Sequence, residues 1–541
     1  MNTTKIDYAQ TGYFSGLITS YLKKGEQLQN FYSFFPDKEG FEKAINNRKY
    51  SFDRNLLADV ITQQNVSAGA SPSDKVLKNI ELLRKTNTFT VATGHQLCIF
   101  TGPLYFIYKI ITTINLAAEL KLQHPEKDFV PVFWMASEDH DFEEVNHIHL
   151  FHKKLSWNPE HAVKGPVGKY SPSRLSGLLE ELKPILGEGE NAQKLFEVLN
   201  NAYSKTNTLS DATRFLANEL FKDYGLLCLD GDSPELKEAL MPVMMEDIFH
   251  QSSFTAVNKS IEELHQQGIQ KIQVSPREIN FFYMKPGLRE RIEQQGEKFV
   301  VLNTGLVFSK AELEQEIQEH PEHFSPNVVL RPLYQEMILP NIAYIGGGGE
   351  LAYWLELKNL FNHHEIDFPV LLLRNSLLWI DTVSAEKMQK LGISAADLFQ
   401  ETEALIKDFV ARNAEQEINL EEQMEKLKEV YHEISEVAFK VDPTLKPTVE
   451  ADLQKALQSL KHLEHKISKA EKNKHETAIN QLRKLKEKLF PGNGLQERFE
   501  NFIPYYLKYG PRYIEVLKEE LRPLNLEFNI ISEKVKLAEQ V

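Results

Sequence analysis

The chain has 541 residues, and its 77 acidic against 62 basic side chains give a net charge of −15, which argues against a nucleic-acid surface because phosphate neutralisation needs a basic stripe. Its length exceeds what one hydrophobic core supports, so a large α/β domain with insertions and at least one appendage is expected. The two cysteines, Cys98 and Cys228, each lie in an apolar run; they exclude a disulfide framework, and with no apolar run near the ~18 to 20 residues of a membrane span the expected place is the cytoplasm.

Residues 1 to 85 read as polar helix with aromatic anchors such as Tyr13, Phe14 and Tyr21 packing the segment onto a core. A buried strand follows at 89–93 and runs into Gly94-His95-Gln96. After the turn signal Thr101-Gly102-Pro103 a helix extends to about residue 122. A second strand, 129–135, delivers Ser137-Glu138-Asp139-His140-Asp141. A right-handed βαβ unit puts both loops on one sheet edge, so 1–150 forms the first part of the core.

Residues 151–207 lose this alternation and read as a first insertion. The core resumes over 208–265 with a helix near 210–223, a strand at 225–229 ending in Asp230-Gly231-Asp232, and a helix opened by Pro234. A second insertion, 266–325, carries hairpin-like strands at 271–274, 281–284 and 299–302 and a polar helix at 310–319. The sheet returns over 326–383 with Arg331 to Gln335, a strand at 341–345, four consecutive glycines, a helix at 350–362 and a strand at 369–373.

Residues 384–489 are rich in Glu, Lys and Leu. Leu420, Met424, Leu427, Tyr431 and Ile434 alternate steps of four and three, as do Val449, Leu453, Ala456, Leu460 and Leu463. Asp442-Pro443 breaks the pattern, which predicts an antiparallel helical hairpin with a coiled-coil seam and an outer face able to bury against a second copy. Residues 490–541 fold back on the core with a final strand near 526–531.

Four strand ends thus meet on one edge. Gly346, Gly347, Gly348 and Gly349 before a helix can present N–H groups to a phosphate or carboxylate. His95 can bind phosphate or shuttle a proton, and the Glu138 to Asp141 loop suits an ammonium or a divalent cation. Arg331 and Arg374 suit carboxylate or phosphate. A capping histidine, a packed glycine turn, a solvated acidic loop and ordinary ion pairs are the competing readings. No residue is assigned as a metal ligand, since no thiolate or second histidine sits at ligand spacing beside His140, although His147 and His149 are near. Neither G-x-G-x-x-G, nor a Walker sequence, nor a nucleophile elbow is present, which disfavours conventional NAD, P-loop and serine-nucleophile chemistry.

With Thr93-Gly94-His95-Gln96, Phe100-Thr101-Gly102-Pro103, Ser137 to Asp141, Arg331 to Glu336 and Ile345 to Trp354 in view, the chain resembles the BshC family of bacillithiol-biosynthesis cysteine-adding enzymes over essentially its whole length. The resemblance implies a Rossmann-like core of the nucleotidyltransferase and class I aminoacyl-tRNA synthetase type, two connecting-peptide insertions and a coiled coil that forms a homodimer. It also implies amide formation between the carboxyl of L-cysteine and the amine of glucosaminyl-malate, the last step of bacillithiol synthesis, with ATP as the expected source of activation. The second, lysine-rich synthetase signature is absent. On this reading Thr93, Gly94, His95, Thr101, Gly102 and the four glycines face the nucleotide. Gln96, Asp141, Glu350, Tyr353, Trp354, Arg331 and Arg374 hold substrate, and His95, His140 and Asp139 act in catalysis. A nucleotidyltransferase acting on a sugar or cofactor, and a nucleotide-binding scaffold without turnover, are the alternatives.

Overall fold

The computed structural model describes residues 1–151, 153–158, 164–414 and 419–534. β1 (Asn2–Ile6) lies apart from the centre, which begins with β2 (Thr88–His95) and β3 (Asp128–Met135). A hairpin, β4 (His147–Leu150) and β5 (Lys153–Ser156), precedes β6 (Leu227–Asp230). The second insertion contributes β7 (Phe281–Lys285), β8 (Leu288–Gln295), β9 (Lys298–Val301), β10 (Val307–Ser309) and β11 (Phe324–Pro326). The core closes with β12 (Asn341–Gly346) and β13 (Val370–Leu373), followed by β14 (Leu377–Ile380) and, near the end, β15 (Phe528–Ser532).

The central sheet is entirely parallel, in the order β13-β12-β2-β3-β6. Every residue of β2 is buried, as expected of a central strand covered on both faces, and this is why Thr, Phe, Val and Ala fill it up to Gly94-His95 with no acidic or lysine side chain among them. The Tyr105–Gln123 helix crosses from β2 to β3 and is apolar on nearly all sides, because its outer face is covered too: Asn115 Nδ2 donates to the carbonyls of Lys518 and Leu521 in the C-terminal segment. All five strands run the same way, so their carboxyl ends and the loops that follow share one edge.

Two expected strands are absent. Arg331–Ile338 is a helix, with Pro332 in its first turn and Asn327 Oδ1 accepting the N–H groups of Val329 and Leu330 just before it. Residues 271–274 form no strand, because the N–H groups of Gln273 and Val274 are taken by the Glu356 carboxylate at 2.8 and 3.0 Å and not by a neighbouring strand. The remaining strands of that insertion make the antiparallel sheet β10-β9-β8-β7-β11, with the expected Lys310–Glu319 helix between β10 and β11.

β1 and β14 were not legible as strands. They flank β15 in a third sheet that joins both ends of the chain, β1 to β15 antiparallel and β14 to β15 parallel. The helical hairpin consists of Glu421–Val441 and Lys446–Lys474, reversing at Pro443–Leu445, and the next helix, Glu476–Leu489, packs back on the core through Ile479, Leu482, Leu485 and Leu489. Of the expected seam, Met424 is buried and Leu427, Tyr431 and Ala438 are half-buried, whereas Ile434, Leu463 and Ile467 remain exposed. Both cysteines are buried and unpaired, and burial pushes their thiols up, to about 12 for Cys98 and about 11 for Cys228. Among the described residues no helix is long and apolar enough to cross a membrane.

Candidate active site

The four loops expected on one edge do meet there, around a cavity of about 600 Å³ lined by Gly94, His95, Glu138, Asp139, Asp232, Glu350 and neighbours. Lys109, one turn into the Tyr105–Gln123 helix, holds the centre of its floor. Its Nζ donates to the Gly94 carbonyl at 2.9 Å and pairs with Glu350 Oε2 at 2.5 Å, while the same carboxylate accepts the Gly347 N–H (2.8 Å) and the Tyr344 hydroxyl (2.7 Å). Burial would raise the Glu350 carboxyl, but Lys109 and these donors hold it at about 2. Burial lowers the Lys109 ammonium, and Glu350 opposes that fall.

His95 stands beside this pair. Its Nδ1 accepts the Gln96 N–H at 2.8 Å, so in the neutral ring Nε2 carries the proton, and that atom is buried with no partner among the described residues. Burial and the Lys109 charge lower its pKa from 6.5 to about 3. In this setting His95 is a neutral N–H donor and a poor proton acceptor, which narrows the two roles that its position allowed. Arg331 is similarly poised: Nη1 donates to Gln335 one turn along at 2.9 Å, the Tyr353 hydroxyl stands by the guanidinium, and the buried Nη2 has no hydrogen-bond partner among the described residues. That i, i+4 contact exists only because the segment is helical.

The glycine run does not offer a free row of amides. The Gly347 N–H is taken by Glu350, and Gly346 ends β12 where a Cβ would meet Leu351 Cδ1 at 2.7 Å. Gly348 faces Ile18 and Phe14 of the N-terminal segment, which leaves Gly347 and Gly349 on the cavity wall. Thr93 is buried in the sheet, donating to the Ile345 carbonyl at 2.8 Å. Thr101 and Gly102 sit below the cavity in a tight turn of positive φ (70° and 65°), held by Asn501, which donates to the Phe100 and Gly102 carbonyls.

One carboxylate of the acidic loop is already neutralised. Glu138 pairs with Lys237, a lysine with no solvent exposure that also reaches Asp232 at 3.2 Å, and Lys169 pairs with Asp232 at 2.6 Å. The first insertion clamps the loop, since Val167 and Gly168 donate N–H to the carbonyls of Asp139 and Ser137; a Cβ on Gly168 would lie 2.6 Å from Ser137 Cβ. Asp139 Oδ1 accepts the His140 N–H at 2.7 Å, its Oδ2 accepts Gln96 Nε2 at 3.2 Å, and the residue lines the cavity. Asp141 caps a short helix outside it, accepting the Glu144 N–H. His140 is also off the wall, its Nδ1 2.6 Å from Arg289 Nη1. His147 and His149 stand farther along, His149 stacked on Phe499.

Of the remaining expected substrate contacts, Tyr353 lines the cavity and Trp354 does not. Trp354 is fully buried behind Tyr344, ring centroids 4.4 Å apart, because it falls on the helix face turned to the core. Arg374 lines the wall with its Nη2 committed to Glu497 at 2.7 Å and Nη1 to Asn375 and Ser376.

The sequence reading missed a second basic group. Arg277, Arg289 and Arg291 reach the cavity from the second insertion, with Arg498 from the C-terminal segment. Arg289 and Arg291 are two apart on β8 and so share a face, the one signal that could have shown them. With Lys109, Arg331 and Arg374 this makes seven basic side chains around four carboxylates, in a chain of net charge −15. Such a focused positive field attracts anionic ligands.

A parallel Rossmann-like sheet with a basic cavity at its carboxyl edge and a helical hairpin appended defines an α/β protein with its candidate site at the strand ends. The chain belongs to the BshC family: residues 1–375 match the bacillithiol-biosynthesis BshC N-terminal Rossmann-like domain and residues 377–533 the BshC C-terminal coiled-coil domain. A Flavobacterium johnsoniae relative is 44% identical over 533 residues, covering 98% of this chain and 100% of its own. Relatives from Flavobacterium psychrophilum and Christiangramia forsetii are 43% and 42% identical, each across 98% of this chain and 99% of their own. All three carry the name "Putative cysteine ligase BshC".

Two outcomes are expected from substitution here. Lys109→Met strands the Glu350 charge and should cost about 3–5 kcal/mol in urea unfolding, with Lys109→Met/Glu350→Gln recovering part of it. Because the folded state holds His95 at about 3, the unfolded chain takes up that proton first as the pH falls below 6.5, so stability drops between those values. In chemical denaturation at pH 7, 6, 5 and 4, His95→Gln should lose stability less steeply than the parent chain.

Proposed function

We propose that this chain is a cysteine ligase of bacillithiol synthesis, joining the carboxyl of L-cysteine to the amine of glucosaminyl-malate at the sheet-edge cavity with ATP as co-substrate. The observation that carries this reading is the pair of basic groups from separate elements, because the reaction brings together two anionic molecules, a nucleotide and a malate glycoside. The buried donors His95 Nε2–H and Arg331 Nη2, both without a hydrogen-bond partner among the described residues, fit phosphate oxygens together with the helix start at Gly349. Arg277, Arg289 and Arg291 fit the malate carboxylates. When bound, ATP supplies the leaving group that makes the cysteine carboxyl reactive.

The chain's own residues then position and deprotonate. Holding both substrates against one wall removes most of the entropic barrier. As the C–N bond forms the attacking amine loses a proton, and Asp139 is the carboxylate at the cavity best placed to take it, since Glu350 is paired with Lys109, Glu138 and Asp232 are paired with Lys237 and Lys169, and His140 faces Arg289. We assign no divalent cation to the acidic loop: Glu138 is paired with Lys237, and Asp139 closes its own turn. A cation used here would travel with the nucleotide phosphates.

We further propose a homodimer through the helical hairpin. Val430, Ile434, Val437 and Val441 form an exposed stripe at helical spacing, 45% to 78% open to solvent, and Leu463 and Ile467 of the other helix are exposed as well. A second copy offers the same stripe and can cover it by two-fold symmetry.

Purified protein given L-cysteine, ATP and glucosaminyl-malate should form bacillithiol, and Asp139→Asn should slow product formation, followed by mass spectrometry, about 10²–10⁴-fold. Undiminished turnover in that variant would remove Asp139 from the reaction, and a nucleotide left on the acceptor would identify a nucleotidyltransferase instead. Ile434→Glu/Val437→Glu should convert a dimer to a monomer in light scattering while leaving the far-UV circular dichroism unchanged.

A further inference from the structure

The turn that ends the Lys310–Glu319 helix reads His320-Pro321-Glu322-His323 and leads directly into β11. Its three polar side chains each bring one ligand atom within 4.8 Å of the other two. His320 Nδ1 lies 3.2 Å and His323 Nε2 3.8 Å from the same oxygen, Glu322 Oε1. Donors about 2.0–2.1 Å from a tetrahedral ion stand roughly 3.4 Å from one another, so these separations bracket what such an ion needs.

A second observation concerns the other side of His323. Its Nδ1 is 2.7 Å from Glu316 Oε1, an oxygen that also accepts the Tyr283 hydroxyl at 2.6 Å. With the Nδ1 proton held by that carboxylate, the Nε2 lone pair is turned toward Glu322 and His320. This carboxylate–histidine relay is the arrangement that orients histidine ligands in metal sites. The His320 and His323 rings stack with centroids 4.8 Å apart, and the His320 side chain is 46% exposed, which leaves an entry path and room for a fourth, solvent ligand.

We propose that His320, Glu322 and His323 form a binding site for a borderline divalent transition-metal ion, of the zinc, cobalt or nickel kind, with Glu316 as its outer partner. Two imidazoles and one carboxylate select such an ion over magnesium or calcium, which prefer all-oxygen sets. The ion would brace the second insertion against the sheet edge. The Glu322 carbonyl accepts Lys237 Nζ at 3.3 Å, and Ser325, two residues past His323, donates to Glu138 at 3.2 Å, so this turn carries part of the wall behind the acidic loop. The inference is independent of the ligase reading. Glu246, His363 and His364 form another such group, but His364 Nε2 there is buried without a partner, so no outer residue orients the ring.

The test uses the full-length chain, stripped with a chelator and titrated with Co²⁺ alone while its visible d–d absorption is followed, then competed with Zn²⁺. One equivalent bound is expected, weakened at least about 10-fold by His320→Ala and by His323→Ala and about 10–100-fold by Glu316→Gln, and unchanged in His363→Ala. Zn²⁺ should also raise the melting temperature of the parent chain and not that of His320→Ala, a substitution at a partly exposed position. No stoichiometric binding, equal affinity in His320→Ala and the parent, or loss only in His363→Ala would each overturn the proposal.

Discussion

The ion pair between buried Lys109 and half-buried Glu350 is the contact on which the rest of the site depends. It ties together pieces of chain more than two hundred residues apart: the end of β2 through the Gly94 carbonyl, the crossover helix through Lys109, and the start of the helix after β12 through Gly347 and Tyr344. Two charges withdrawn from water are costly, and such a pair is tolerable only when every remaining donor and acceptor is satisfied. Here Glu350 accepts from three groups, which meets that condition. Burial, and after it the same positive charge, keeps the neighbouring His95 neutral, so that the imidazole meets a ligand as an N–H donor.

Around this anchor the cavity is assembled from separate stretches. The parallel sheet brings the ends of β2, β3, β6 and β12 to one edge, the first insertion presses on the acidic loop, and the second insertion supplies arginines from β8. Lys237 and Lys169 neutralise Glu138 and Asp232, so of the acidic side chains on the cavity wall Asp139 is left without a lysine or arginine partner among the described residues. The field in the cavity is therefore set by arginines, opposite in sign to the chain as a whole.

The hairpin follows a different logic. Its two helices satisfy their own backbone and need only one buried seam, so an exposed apolar stripe remains on Glu421–Val441. The third sheet does for the chain ends what the ion pair does for the site: β15 lies between β1 and β14 and fastens the C-terminal segment beside the core, where Glu497 reaches Arg374.

Much of the framework was determined by sequence alone. The apolar run of β2, the helix after it, the strand–loop–helix units at Asp230 and Gly346 and the proline break of the hairpin are local signals, because period, turn residues and helix caps act over a few positions. For the same reason the meeting of four loops on one edge could be read, since parallel βαβ connections leave no other arrangement. What each side chain does there was decided by tertiary structure. Trp354 turned to the core, Arg374 was taken by Glu497, Gly347 was capped by Glu350, and Lys109, Arg289 and Arg291 entered the site from a helix and a strand that carry no motif. Partner choice depends on which distant groups arrive within 3 Å and on how much water they displace, and one chain's local pattern records neither.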